Sequence, residues 1–120
     1  MLSLPPAVRV FVARGAVDLR KSFDTLATVV REVLREDPLS GHLFMFFNRR
    51  RDRLKVLYWD RSGYCLYYKR LERGCFRHPD VEQIDVRELL LVLAGVDETT
   101  AHTRRWYVRP VTPGEISPAR

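Results

Sequence analysis

Hydrophobic and polar positions alternate along the chain in short blocks, and the blocks predict an order of elements. Val8–Ala13 (VRVFVA) alternates only weakly and predicts an opening strand, ended by Gly15. Leu19, Phe23, Leu26, Val30 and Val33 then recur at helical spacing, with Arg20, Lys21, Arg31, Glu32, Arg35 and Glu36 between them. This predicts a helix with one apolar face, capped by Asp18 or Ser22 and stopped at Asp37-Pro38. Three short runs follow: Leu43–Phe47, Leu54–Trp59 and Tyr64–Arg70. They are separated by the polar turn Asn48–Arg53 and by the turn Asp60-Arg61-Ser62-Gly63. Runs this short, this rich in aromatic and branched residues and this regularly punctuated by turns predict a β-meander. Leu43–Phe47 has no polar position, so both faces of its sheet are to be covered, one by a helix and the other by the second helix or a partner. Arg77–Asp80 reads as a loop. Asp85 with Glu88 three residues later opens a short helix bearing Leu89, Leu90, Val92 and Leu93, with Gly95 just past its end. Strand, helix, meander, helix predicts an α+β fold: an antiparallel β-meander with an N-terminal strand, packed against two helices. The domain is expected over residues 1–97, with 98–120 a basic, Pro-containing, mobile tail.

Charge sharpens this picture because it is unevenly spread. The 120 residues carry a net charge of +6 and a pI of about 9.8. From Asn48 to His78 there are ten Lys and Arg (Arg49, Arg50, Arg51, Arg53, Lys55, Arg61, Lys69, Arg70, Arg73, Arg77) against Asp52, Asp60 and Glu72. An aromatic sheet edged with arginine favours an anionic partner, nucleic acid first. The apolar share of 46% is that of an ordinary soluble domain. No apolar run reaches the ~18 residues of a membrane span, and the proline-broken start is unlike a signal peptide. Two cysteines, Cys65 and Cys75, suggest reduced thiols in a cytoplasmic protein.

Candidate chemistry divides unequally. The turn Arg49-Arg50-Arg51-Asp52-Arg53 has the donors to hold phosphates, because guanidinium forks match phosphate oxygens; Lys55, Lys69, Arg70, Arg73 and Arg77 extend the same candidate DNA surface. The competing reading is a solvated turn that keeps an aromatic sheet soluble. Tyr58, Trp59, Tyr64, Tyr67 and Tyr68 are stacking platforms for bases or, as strand aromatics usually are, cross-strand packing. Asp52 and Asp60 would be the carboxylates of a metal-dependent nuclease, but turns favour Asp and no third ligand falls in the meander. Cys65, Cys75, His42 and His78 lack zinc-site spacing. The residues thus nominate no catalytic group, no metal and no cofactor.

Several stretches carry a resemblance. They are Leu4-Pro5 with Val8–Phe11, Asp18-Leu19-Arg20-Lys21-Ser22-Phe23-Asp24, Ser40–Phe46 and Asn48–Arg53. Lys55–Asp60, Gly63 and Lys69–Gly74 complete the set. Together they resemble the TnpB accessory proteins encoded by the second reading frame of insertion-sequence-sixty-six (IS66) elements, over about Leu4 to Val96. Cys75 departs from the pattern, standing where a basic residue is expected, and the stretch beyond Asp97 matches only loosely. The resemblance implies a helper in DNA transposition that has no catalytic residues of its own and acts beside a separate transposase. Two modes of help are compatible with it: direct contact with DNA, or an adaptor contact with the transposase alone.

Overall fold

A computed structural model of the chain describes residues 7–97 and 102–103. The elements run in the order β1 (Val10–Val12), α1 (Phe23–Val29, continued by a π-helical turn over Val30–Leu34), β2 (Leu43–Phe47), β3 (Arg53–Asp60), β4 (Gly63–Arg70), β5 (Gln83–Ile84), α2 (Val86–Ala94), β6 (Val96–Asp97) and β7 (His102–Thr103). The first five strands form one sheet in the spatial order β4-β3-β2-β1-β5. The fold is α+β, as the pattern predicts, and β2-β3-β4 is an antiparallel meander. The order of the remaining strands was not legible. β1 runs parallel to β2, with α1 as the crossover between them, and β5 closes the other side of β1 antiparallel. β6 and β7 form a separate small hairpin.

β2 explains the two-sided cover. All five of its residues are buried, and alternate side chains feed two cores. Leu43, Met45 and Phe47 join Leu54, Val56 and Phe76 beneath Leu89, Val92 and Leu93 of α2. Phe44 and Phe46 join Leu57 beneath Leu26, Ala27 and Val30 of α1. Each helix therefore covers one face.

Both helices obey their local signals at the start. Ser22 is the N-cap of α1, and its N–H donates to Thr25 Oγ1 at 3.2 Å. Asp85 caps α2 by accepting from the Glu88 N–H at 2.8 Å, and Gly95 ends it with φ of 81°, a left-handed position where glycine has no Cβ to clash. The end of α1 departs from expectation. Helix ends at Leu34, with Arg35 left-handed at φ 58°, before Asp37-Pro38 is reached. The wider π turn breaks the 3.6-residue phase, so Val33, expected on the apolar face, is 68% exposed. Phe23, at the first helical position, is also exposed, whereas Leu19 is buried from the turn before the helix.

Candidate nucleic-acid interface

The meander decides which charges meet. β2 runs into the Asn48–Asp52 turn, β3 leaves it, and β4 returns to the same end of the sheet. The chain then stays there. The Leu71 N–H donates to the Asp52 carbonyl at 2.7 Å and the Phe76 N–H to the Arg51 carbonyl at 2.6 Å, so the segment after β4 is laced to the turn. A third segment arrives from the far N-terminal side, where the Val17 N–H donates to the Phe47 carbonyl at 2.9 Å. Arg49, Arg50, Arg51, Arg53, Arg70 and Arg73 thus share one end of the sheet with Arg20, which sequence reasoning missed. No local signal marks Arg20, because only the long-range return to Phe47 brings it there.

The turn is held by its polar residues, leaving its arginines outside. The Asn48 amide Nδ2 donates to Asp52 Oδ1 at 2.7 Å, and Asn48 Oδ1 accepts from the Arg53 N–H at 3.1 Å. Arg51 takes the left-handed position of the turn at φ 59°. Arg49, Arg50, Arg51 and Arg73 are exposed, and their side chains make no hydrogen bond or ion pair among the described residues. Arg53 and Arg70 face each other across the ladder, a like-charge pairing that costs stability. Arg53 Nη1 donates to the Tyr68 hydroxyl at 3.2 Å and Arg70 Nε to Glu72 at 2.8 Å.

Three nominated residues serve the fold. Lys55 is buried, with Nζ donating to the Lys21 carbonyl at 2.9 Å and lying 4.8 Å from the centre of the Tyr68 ring. It ties β3 to the segment that leads into α1 and presents no open charge. Lys69 faces the other side and donates to the Leu93 carbonyl at 2.7 Å, at the C-terminal end of α2 where a cation complements the helix dipole. Arg77 pairs with Glu88 of α2 at 3.0 Å in a part-buried setting.

The profile of the IS66 Orf2-like proteins matches residues 8–103. The chain belongs to this family. The match covers both helices, the whole sheet and the arginine end. Two relatives come from Sinorhizobium fredii, "Uncharacterized protein y4hO" and "Uncharacterized protein y4jC". The first is 43% identical over 101 residues, covering 81% of this chain and 88% of the relative. The second is 37% identical over 103 residues, covering 82% and 88%. No solved structure matches. The IS66 Orf2-like family is one of transposition accessory proteins, so the resemblance read from the sequence holds.

The family's chain sets the alternative chemistries apart by geometry. Asp52 and Asp60 sit at opposite ends of the eight-residue strand β3, roughly 26 Å apart at ~3.3 Å per residue. One ion or ion pair cannot bridge them. Asp52 is also held below the usual carboxylate range, first by the Asn48 hydrogen bond; burial opposes this as the next largest effect, and the charges of Arg50 and Arg53 add smaller lowering effects. It is a fixed anion that braces the turn. Among the described residues no three His, Cys, Asp or Glu side chains group as metal ligands, and Cys65 and Cys75 are free thiols. Trp59 and Tyr64 meet edge-to-face at 5.2 Å near the opposite end of the sheet, away from the arginine turn. No helix among the described residues is long and apolar enough to cross a membrane.

Proposed function

We propose that the protein assists transposition by holding DNA along its phosphate backbone with the arginine end of the sheet. Arg49, Arg50, Arg51 and Arg73 are the contacting residues; Lys55, Lys69 and Arg77 leave the interface nominated from sequence, and Arg20, Arg53 and Arg70, already bonded to Asp18, Tyr68 and Glu72, stand at its edge. The observation that carries this reading is the concentration of unpaired guanidinium groups on a turn whose backbone is tied down by Asn48, Asp52, Leu71 and Phe76. Like-charged groups carried on a braced backbone, without partners among the described residues, form a surface that an anion relieves, and guanidinium forks fit phosphate. Phosphate contacts position a protein without reading sequence, so this surface accounts for holding DNA, and the reaction itself belongs to the transposase.

The test is a salt-titrated binding assay on element-terminal and random duplex. Replacing Arg49, Arg50, Arg51 and Arg73 by Gln should lower affinity for both duplexes by similar factors. The slope of log affinity against log salt should flatten by about 0.9 for each phosphate contact removed. A quadruple variant with the full parental slope would refute the assignment.

A second reading has its own observation. Phe23, Val33 and Leu39 expose large apolar side chains on and just after α1, 42, 68 and 50% accessible. This suits a protein partner, and the transposase is the one that the family implies. Association with the transposase that is insensitive to salt and abolished by Val33→Asp, with DNA affinity unchanged, would favour the adaptor role.

A further inference from the structure

A cleft of about 260 Å³ opens beside the arginine turn, between the segment before α1 and the end of β3 and β4. Asp18, Arg20, Arg50, Asp52, Arg53 and Tyr68 line it. Its chemistry differs from that of the turn. The exposed turn residues Arg49, Arg50 and Arg51 present only cations, whereas the cleft carries two carboxylates among its arginines and has an aromatic ring in its wall.

Tyr68 is the unusual member. It lies on β4 opposite Lys55, yet it is 49% exposed, while its neighbours Tyr64 and Tyr67 are covered further. The ring is fixed at two points. Its hydroxyl accepts from Arg53, and the buried Lys55 ammonium lies 4.8 Å from the ring centre. An aromatic ring held still at the surface loses little entropy when something lies on it.

The carboxylates say what does not fill the cleft. Arg20 donates to Asp18 through its side chain and its N–H, which lowers the Asp18 carboxyl from 3.8 to about 2. Asp52 is lowered as well, by Asn48 first. Both are anions at neutral pH and offset the charge of the arginines that line the cleft, so a phosphate finds less net positive charge inside than on the turn. The phosphates are therefore favoured outside, on Arg49 and Arg51, which do not line the cleft, with Arg50 shared between the two. The interior suits a flat, uncharged group that stacks on Tyr68 and offers N–H donors to the carboxylates. A nucleobase has both properties, but in duplex its faces are stacked and its pairing edge is used.

We propose that this cleft takes an unpaired base, stacked on Tyr68, so that the protein prefers DNA carrying a single-stranded end or gap over continuous duplex. The inference rests on the DNA-holding reading and adds to it the structure of the DNA. Stacking on Tyr68 supplies the preference, and the arginine turn supplies binding common to all DNA.

Binding of the full chain is measured against one blunt duplex, the same duplex with a three-nucleotide overhang, and that duplex with the overhang made abasic. The overhang should bind roughly 5- to 150-fold more tightly than the blunt or abasic forms, the range that one base–aromatic stack gives. Tyr68→Leu should abolish this preference, read as the ratio of overhang to blunt affinity in the same protein, and Tyr68→Phe should keep most of it. Should Tyr68→Leu protein not fold, 2-aminopurine in the overhang gives a second readout: its fluorescence should be quenched when the parent protein binds. Equal affinity for all three DNAs, or an overhang probe that stays bright, overturns the base-stacking cleft and leaves the DNA-holding reading standing. Binding to none of the three overturns both.

Discussion

Lys55 on β3 and Lys69 on β4 sit at adjacent cross-strand positions and face opposite sides of the sheet, each ending on a main-chain carbonyl. A few residues away, Arg49, Arg50 and Arg51 end on no acceptor among the described residues. The sheet and its turn thus use positive charge in opposite ways. Inside, two lysines fasten helical segments to the sheet: Lys55 holds the entry to α1 and Lys69 the exit of α2. Outside, the arginines are held by their backbone and left without acceptors. A count of basic residues treats the two groups alike. What separates them is whether the side chain already has a partner, and only the second group has its whole set of donors open to a ligand.

This contrast can be broken by substitution. The largest effect belongs to the core that both groups surround: Phe46→Ala, fully buried beneath α1, should cost about 3–5 kcal/mol in a urea melt. It should weaken DNA binding only as far as it unfolds the protein. The lysines come next. Lys55→Ala leaves the Lys21 carbonyl without its partner and should cost about 1–3 kcal/mol. Lys69→Met should cost about 1 kcal/mol, the scale of a cation lost from a helix C-terminus. Neither should change the salt slope of DNA binding in protein kept folded. A flattened slope in either would return that lysine to the interface and dissolve the distinction.

The smallest effect concerns the brace of the turn. Asp52 has a lowered carboxyl pKa, so its charge stabilises the fold above the ordinary value of 3.8 and this contribution is lost as pH falls through the lowered value. Asp52→Asn should therefore be less stable than the parent at pH 7, and the gap should narrow in acid below 3.8. A gap of equal size at pH 7 and in acid would show that the carboxylate charge has no part in bracing the turn.

What could be read from the sequence follows the range of the interactions involved. The capping of α2 by Asp85 and its end at Gly95 depend on residues within a turn of one another, and both were legible. The three strands of the meander were legible because their turns are short and their apolar runs unbroken. The cover of both faces of β2 was legible because Leu43–Phe47 has no polar position to show to water. The parallel pairing of β1 with β2 was not, since it joins segments separated by a helix. Neither was the π turn, which moved Val33 outward without any glycine or proline to announce it. At the candidate site the arginine turn stood out at once. The fates of Lys55 and Lys69 did not, because each partner is a carbonyl on a distant segment, and carbonyls leave no mark in a sequence.

The lacing of the segment after β4 to the arginine turn has a consequence for how the molecule comes to exist. Within Leu43 to Phe76 the two hairpins and the Leu71 and Phe76 hydrogen bonds join residues close in sequence. Val10 must instead find Leu43 across 33 residues. Closing short loops loses less chain entropy than closing long ones, and local pairings form sooner. The arginine turn should thus be shaped early in folding, before β1, β5 and the helices have settled. Pulsed hydrogen exchange should find the amides of Arg51, Leu57 and Phe76 protected ahead of that of Val12.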